Sequence, residues 1–173
     1  MQEKVKQLRV NIDALAQLTG ELKPLPLQIK RGNIGTIMGG EGINNKGSIN
    51  SKEIKKSVDS LYMAKAWLGK VMGELGVESP YKSGYKTKAD IEPTADVAPK
   101  GKFADYFTLT NHIEKVDYLR TQIDSLVKEV KELDLNLEVR LSREFAIART
   151  NAYNYLCEAR FHLGFELQRI KEA

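Results

Sequence analysis

Three groupings in this 173-residue chain have residue types and spacings that could do chemistry. In "SKEIKKS" at Ser51 and "SREFAIART" at Ser142, a serine is followed at once by a basic residue and a glutamate, near an expected helix start. Free amides at a helix amino terminus, joined by Lys52 or Arg143, suit a phosphate. The simpler reading is capping, with serine accepting an amide bond and glutamate favouring the helix dipole. Next, Arg9 stands four residues before Asp13, and Arg120 four before Asp124. Such a pair is ordinarily a solvent-facing contact worth a few tenths of a kcal/mol, roughly. Its duplication suggests a hairpin contact or a ligand rim. Last, Trp67 and Phe161 stand beside Lys65 and Arg160. Aromatic and basic groups together can hold a base and its phosphate, although aromatics on an apolar stripe are more often core.

No catalytic constellation accompanies these groups. The glycine-rich run "KRGNIGTIMGGEGINNKG" (30–47) lacks G-x-x-x-x-G-K-[ST] and follows no predicted strand, which excludes a nucleotide-hydrolase P-loop. It reads as a flexible excursion, as a flap whose amides and Lys30, Arg31 or Lys46 close over an anion, or as a subunit contact through Ile34, Ile37, Met38 and Ile43. His112 and His162 have no second ligand at metal spacing, so no metal site is expected. Cys157 has no evident base partner. The chain is expected to be no enzyme and to need no cofactor.

Composition bounds the partners. Twenty-seven basic against 23 acidic residues leave +4, a mild bias toward anions and less than a dedicated nucleic-acid binder carries. With 42% hydrophobic residues a packed core is expected. A single cysteine fits a reducing compartment. The charged start "MQEKVKQLRV" is unlike a signal peptide, and no apolar run approaches the ~20 residues of a membrane span. A soluble, cytoplasmic protein is expected.

The elements that must position these residues follow from periodicity. Val5, Leu8, Ile12, Leu15, Leu18 and Leu22 make one helical stripe, ended by "GELKPLP". "INSKEIKKSVDSLYMAKAWLGKVMGELG" makes a second helix, with Ser51 as candidate cap and Gly76 as terminator. Val116, Leu119, Ile123, Leu126, Val130 and Leu133 form a coiled-coil-like seam in a third. A fourth runs from about Leu137 to Ile170, with its stripe at Leu141, Phe145, Ala148, Ala152, Tyr155, Ala159, Leu163 and Ile170. "KVKQLRVNIDAL" at Lys4 returns as "KVDYLRTQIDSL" at Lys115, 111 residues later. "AKAWLG" at Ala64 returns as "ARFHLG" at Ala159, 95 later. The pattern predicts an all-α protein of two tandem antiparallel helical hairpins, an internal repeat. The first hairpin is expected over 1–76, a long Pro/Gly-containing strap over 77–106, and the second hairpin over 107–173. Tyr81, Ile91, Val97 and Phe103 are the strap's candidate pins.

"NSKEIKKSVDSLYMAKAWLG" resembles the second helix of the phage anti-CBASS and anti-Thoeris sponge family, with its basic-Glu opening and Ala-basic-x-Trp-Leu-Gly close. "EKVDYLRTQIDSLVKEVKEL", followed by "SREFAIART", is similar to that family's first helix, turn and second-helix opening. Arg143, Glu144, Ala148 and Thr150 meet the family pattern there. The resemblance covers about residues 1–22, 50–76 and 107–170. It implies small helical hairpins that assemble as homohexamers and sequester cyclic oligonucleotide or cyclic ADP-ribose signals without cleaving them. It further implies pockets between protomers, with Lys52, Arg143, Thr150 and Arg120 as ligand residues. "YFTLTNH", similar to the family's aromatic lead-in, adds Tyr106 and Asn111. This chain differs in carrying two hairpins, a glycine-rich first loop, and four extra residues between Glu144 and Ala159 relative to Glu53 and Ala64.

The expected function is therefore non-catalytic capture of a cyclic nucleotide-type immune signal by a phage counter-defence protein. Lys52, Arg120, Arg143, Thr150, Tyr106, Asn111, Arg9 and Lys65 are its candidate ligand residues. A homo-oligomer is expected, with three chains reproducing six hairpins, and neither membrane nor nucleic acid is an expected partner. A helical adaptor that binds partner helices and no small molecule is the alternative. Nucleic-acid binding through the loop and strap lysines is a third reading, and it predicts steep salt dependence.

Overall fold

The computed structural model describes residues 1–22, 48–77, 101–134 and 142–172, without the side chains of 48–51, 134 and 172. The glycine-rich loop, the strap from 78 to 100 with Tyr81, Ile91 and Val97, the side chain of Ser51, and Leu137 and Leu141 lie outside the described residues. Among the described residues four α-helices carry the fold: α1 (Gln2–Gly20), α2 (Ser48–Glu74), α3 (His112–Lys131) and α4 (Arg143–Glu172). Among the described residues there is no strand. None of the helices is long and apolar enough to cross a membrane.

The stripes read from the sequence face inward. Val5, Leu8, Ile12, Leu15, Leu18 and Leu22 are all buried, as are Val116, Leu119, Ile123, Leu126, Val130 and Leu133. On the last helix Phe145, Ala148, Ala152, Ala159 and Leu163 are buried, while Tyr155 and Ile170 are only half-buried. Leu156 and Leu167 join them in the core.

Local chemistry sets the helix ends. Gly76 takes the left-handed conformation (φ 77°) after α2. Val77 N–H then donates to Met72 O and Gly76 N–H to Gly73 O, the paired bonds of a Schellman end. Asn111 caps α3 by accepting the Ile113 amide at 2.8 Å. Ser142 caps α4 by accepting the Phe145 amide at 3.0 Å, and the helix opens at Arg143.

α1 and α2 pair antiparallel, with Gln2 Nε2 donating to Leu75 O at one end and Gly20 beside Val58 toward the other. α3 and α4 pair in the same way. The broadest contact, however, lies between the hairpins, where α2 packs antiparallel along α4. Glu53 meets His162, Ser57 Oγ donates to Ala159 O at 2.9 Å, and Ser142 Oγ donates to Glu74 at 2.8 Å. A serine hydroxyl reaching a backbone carbonyl of the facing helix requires close approach. Buried Ser60, Ala64, Ala148 and Ala152 on the two helices permit it. α1 touches α3 and closes a four-helix bundle.

Every spatial neighbour is thus antiparallel, which leaves α2 and α3 parallel across the diagonal. The chain leaves α2 at one end of the bundle and enters α3 at the other. α2 has 27 residues, about 40 Å at the helical rise. Retracing that length takes at least about 12 extended residues, so topology alone demands a long connection. The end of that connection is anchored. Phe103 and Tyr106 are buried, and Tyr106 Oη donates to Leu18 O at 3.4 Å across the end of α1.

Candidate functional site

The duplicated Arg-x-x-x-Asp motif faces the second helix of its own hairpin. Asp13 forms an ion pair with Lys65 on α2, and Asp124 with Arg160 on α4 at 2.6 Å. One turn earlier, Arg9 lies along Gly69, and Arg120 along Gly164. A methyl built at either glycine would meet the guanidinium at 3.7 Å and 3.6 Å, ordinary contact. Arg9 Nε and Arg120 Nε are both buried and make no hydrogen bond. The motif therefore crosses between helices and does not pair along its own. Arg120 does keep a longer contact with Asp117, at 3.8 Å.

In the second hairpin this frame borders a ligand-sized concavity. Arg120, Arg160, Phe161, Gly164, Phe165, Gln168 and Cys157 line a cleft of about 410 Å³. Phe161 and Phe165 stack edge to face with centroids 4.5 Å apart, and are 61% and 45% exposed. Phe161 is thus no core residue, although aromatics on such a stripe usually are. The reason is its place on the helix: positions 160, 161, 164, 165 and 168 share an outward face, one step round from buried Ala159 and Leu163. At the neighbouring position of the first hairpin, Trp67 is half-buried against the core, with Lys70 Nζ 4.0 Å from its ring centre.

The chemistry of this cleft is that of two fork-shaped cations beside an aromatic edge and an amide. Guanidinium groups match phosphate geometry, and exposed rings offer a stacking partner for a flat heterocycle. Its lining residues include no carboxylate, but each arginine has one at hand: Asp124 pairs with Arg160 at 2.6 Å and Asp117 lies 3.8 Å from Arg120. A second cleft of about 320 Å³ at the α2–α4 crossing is lined by Asp59 and Glu158, with Lys56, His162, Tyr155, Ser60 and Met63. Its charges oppose an anion. A third, of about 310 Å³, holds Lys131, Arg149, Thr150, Tyr153 and Asn154. There Arg149 already donates to the Lys131 carbonyl at 3.3 Å.

The eight residues singled out by sequence do not converge on one place. Arg120 is in the α3–α4 cleft and Thr150 in the third cleft. Arg9 and Lys65 lie within the first hairpin's cross-helix contacts. Lys52 is exposed on the first turns of α2, and Arg143 is exposed at the opposite end of the bundle, in the first turn of α4. Tyr106 is buried beneath α3, with Lys115 Nζ 5.5 Å from its ring centre, and Asn111 spends its side-chain oxygen on capping. Phe165 and Gln168 were not singled out, although their 4-residue spacing from Phe161 and Gly164 was visible.

The histidines, without ligand partners in the sequence, have acidic neighbours. His162 Nδ1 lies 2.6 Å from Glu53 across the hairpin seam and its Nε2 lies 3.7 Å from Glu158. His112 Nε2, buried without a hydrogen bond, lies 3.8 Å from the fully buried carboxylate of Glu166. Arg169 grips Glu166 through two bonds of 3.1 and 2.6 Å. Burial pushes the Glu166 carboxyl up, but His112 and Arg169 outweigh it and hold it below the ordinary value of 4.5. Glu53 is likewise held low, with burial outweighed by His162 and Lys56. Among the described residues, no three His, Cys, Asp or Glu side chains are grouped to hold a metal ion.

No protein-family model matches the chain, and neither the curated proteins nor the solved structures give a significant match.

Proposed function

We propose that this protein captures a phosphate-bearing, aromatic small molecule of the cyclic-nucleotide type and holds it without turnover. The observation that carries the reading is the cleft between α3 and α4, where Arg120 and Arg160 flank the exposed Phe161–Phe165 pair. The resemblance to phage anti-CBASS and anti-Thoeris sponges supports the class of ligand. The paired Arg–Gly and Asp–basic contacts support reading the chain as one hairpin written twice, with three chains supplying six hairpins. Capture would lower the free concentration of a signal below what its receptor needs, acting in the cytoplasm of the infected cell.

The test is thermal melting of the purified protein against cyclic di- and trinucleotides and cyclic ADP-ribose isomers. A ligand at a hundred times its dissociation constant adds about 2.7 kcal/mol, several degrees for a chain of this size. The ligand should be recovered intact after denaturation, and Arg120→Ala with Arg160→Ala should abolish the shift. Absence of any shift across the panel refutes the reading.

A second reading, a helical assembly protein without a small ligand, draws on one observation. Tyr62, Met63, Ile147, Phe161 and Phe165 are large apolar side chains at least 39% exposed on the two longest helices. It predicts a stable oligomer whose formation Phe161→Ser with Phe165→Ser disrupts, and no ligand-dependent melting.

A further inference from the structure

We propose that Asp124 is the resident counter-ion of the α3–α4 cleft: an incoming phosphate replaces it on Arg160, and Asp124 thereby sets how strongly the cleft prefers an anion to an uncharged relative of the same ring compound. This rests on the reading of the cleft as an anion site.

The same ion pair is built twice, and its two surroundings differ. In the first hairpin Asp13 is 16% exposed and Lys65 29%, and Asp13 also accepts from Gln17 Nε2 at 3.3 Å. That pair is sunk between helices and bound on two sides, a strut. In the second hairpin Asp124 is 39% exposed and Arg160 46%. Arg160 faces the cleft beside Phe161, so a ligand reaching its guanidinium meets a carboxylate already there.

Exchange is feasible because water shares the work of holding both partners. An exposed ion pair contributes little over its separately hydrated groups, so a phosphate with a second donor in reach, Arg120, can take Arg160 over. The competition costs an anion and leaves a neutral ligand untouched, since the latter has no need of Arg160. The strut in the first hairpin offers no such exchange, for its carboxylate is fixed by Gln17 and its edge has no exposed aromatic pair.

The experiment uses the full chain and its Asp124→Asn and Asp13→Asn variants, titrated calorimetrically with adenosine monophosphate and with adenosine. Expected for Asp124→Asn is a gain of roughly fivefold for the monophosphate, the upper range for one exposed pair, with adenosine unchanged and the melting temperature preserved. Asp13→Asn should melt lower and keep the native preference between the two compounds. Weaker monophosphate binding in Asp124→Asn would make Asp124 a positioning group for Arg160 and overturn the proposal. An unchanged preference would overturn it too. If neither the native chain nor Asp124→Asn binds any phosphate compound of the melting panel, the reading of the cleft itself falls.

Discussion

Glu166 is the fully buried charged side chain among the described residues, and its place in the second hairpin has an apolar counterpart in the first. His112 stands eight residues before Arg120, as Met1 does before Arg9. Glu166 stands two after Gly164, as Val71 does after Gly69. Val71 is buried at 0% exposure, just as Glu166 is. One hairpin thus uses a carboxylate and a histidine where the other uses Val71 and Met1. Replacing Glu166 by Val alone removes both bonds to Arg169 and leaves His112, its side chain 10% exposed, facing an apolar group. Breaking a buried pair costs about 3–5 kcal/mol. Arg169 is 21% exposed and can turn toward water, so we expect about 2–4 kcal/mol. Converting both of these positions, His112→Met with Glu166→Val, should return to within about 1 kcal/mol of the native protein, because Arg169 can turn to water and well-packed apolar groups replace buried ionic ones at little or no cost. Urea unfolding of the native protein, both single variants and the double variant gives the coupling directly. It should be about 2 kcal/mol, and the Glu166→Val protein should melt roughly 5–12 °C lower. A Glu166→Val variant within about 0.5 kcal/mol of native, or strict additivity in the double variant, would refute the argument.

Other consequences are open to direct measurement. Glu53 and Glu166 have folded pKa values below the ordinary 4.5, so their stabilisation is complete above that value and lost as pH falls below it through the depressed values; urea midpoints between pH 7 and pH 3 should fall, and Glu53→Gln with Glu166→Gln should flatten the acid limb. Gly69→Ala and Gly164→Ala place a methyl in ordinary contact with an arginine within a helix, so each should stabilise by about 0.5–1 kcal/mol, read as a higher melting temperature. Ala159→Leu, at a fully buried position where Ser57 reaches the α4 backbone, should cost about 1–3 kcal/mol through overpacking, and by separating α2 from α4 it should lower the cooperativity of unfolding.

The helices were legible because their apolar residues repeat at steps of three and four, and a buried helix face leaves that mark in the sequence. Val116 to Leu133 shows it most plainly, every member being buried. The dominance of α2 against α4 was not legible. Small residues such as Ser57, Ser60, Ala64, Ala152 and Ala159 carry little hydrophobic signal, yet they let two helices approach closely. The start of α4 is faint in the sequence for a related reason: "LDLNLEVRL" has apolar alternation of its own, and the signal at Arg143 is a single capping hydroxyl, that of Ser142. The site was legible in part. Duplication exposed Arg9, Asp13, Arg120 and Asp124 as residues that periodicity does not demand. Their partners, Lys65 and Arg160, lie on another helix, and pairing between helices depends on a register that no local motif encodes. Phe161 shows the same limit, since a residue one step away from a buried stripe points out to solvent.

The parallel relation of α2 and α3 has a consequence for how the polypeptide need be connected. Each hairpin is closed by its own loop, and the link between hairpins serves to return the chain to the far end of the bundle. A cut within residues 78–100 would leave two pieces, each with one complete hairpin and half of the α2–α4 seam. They would reconstitute as a heterodimer whose survival depends on protein concentration, where the intact chain's does not. The covalent link thus acts as a supply of effective concentration, keeping one hairpin saturated with the other at any dilution.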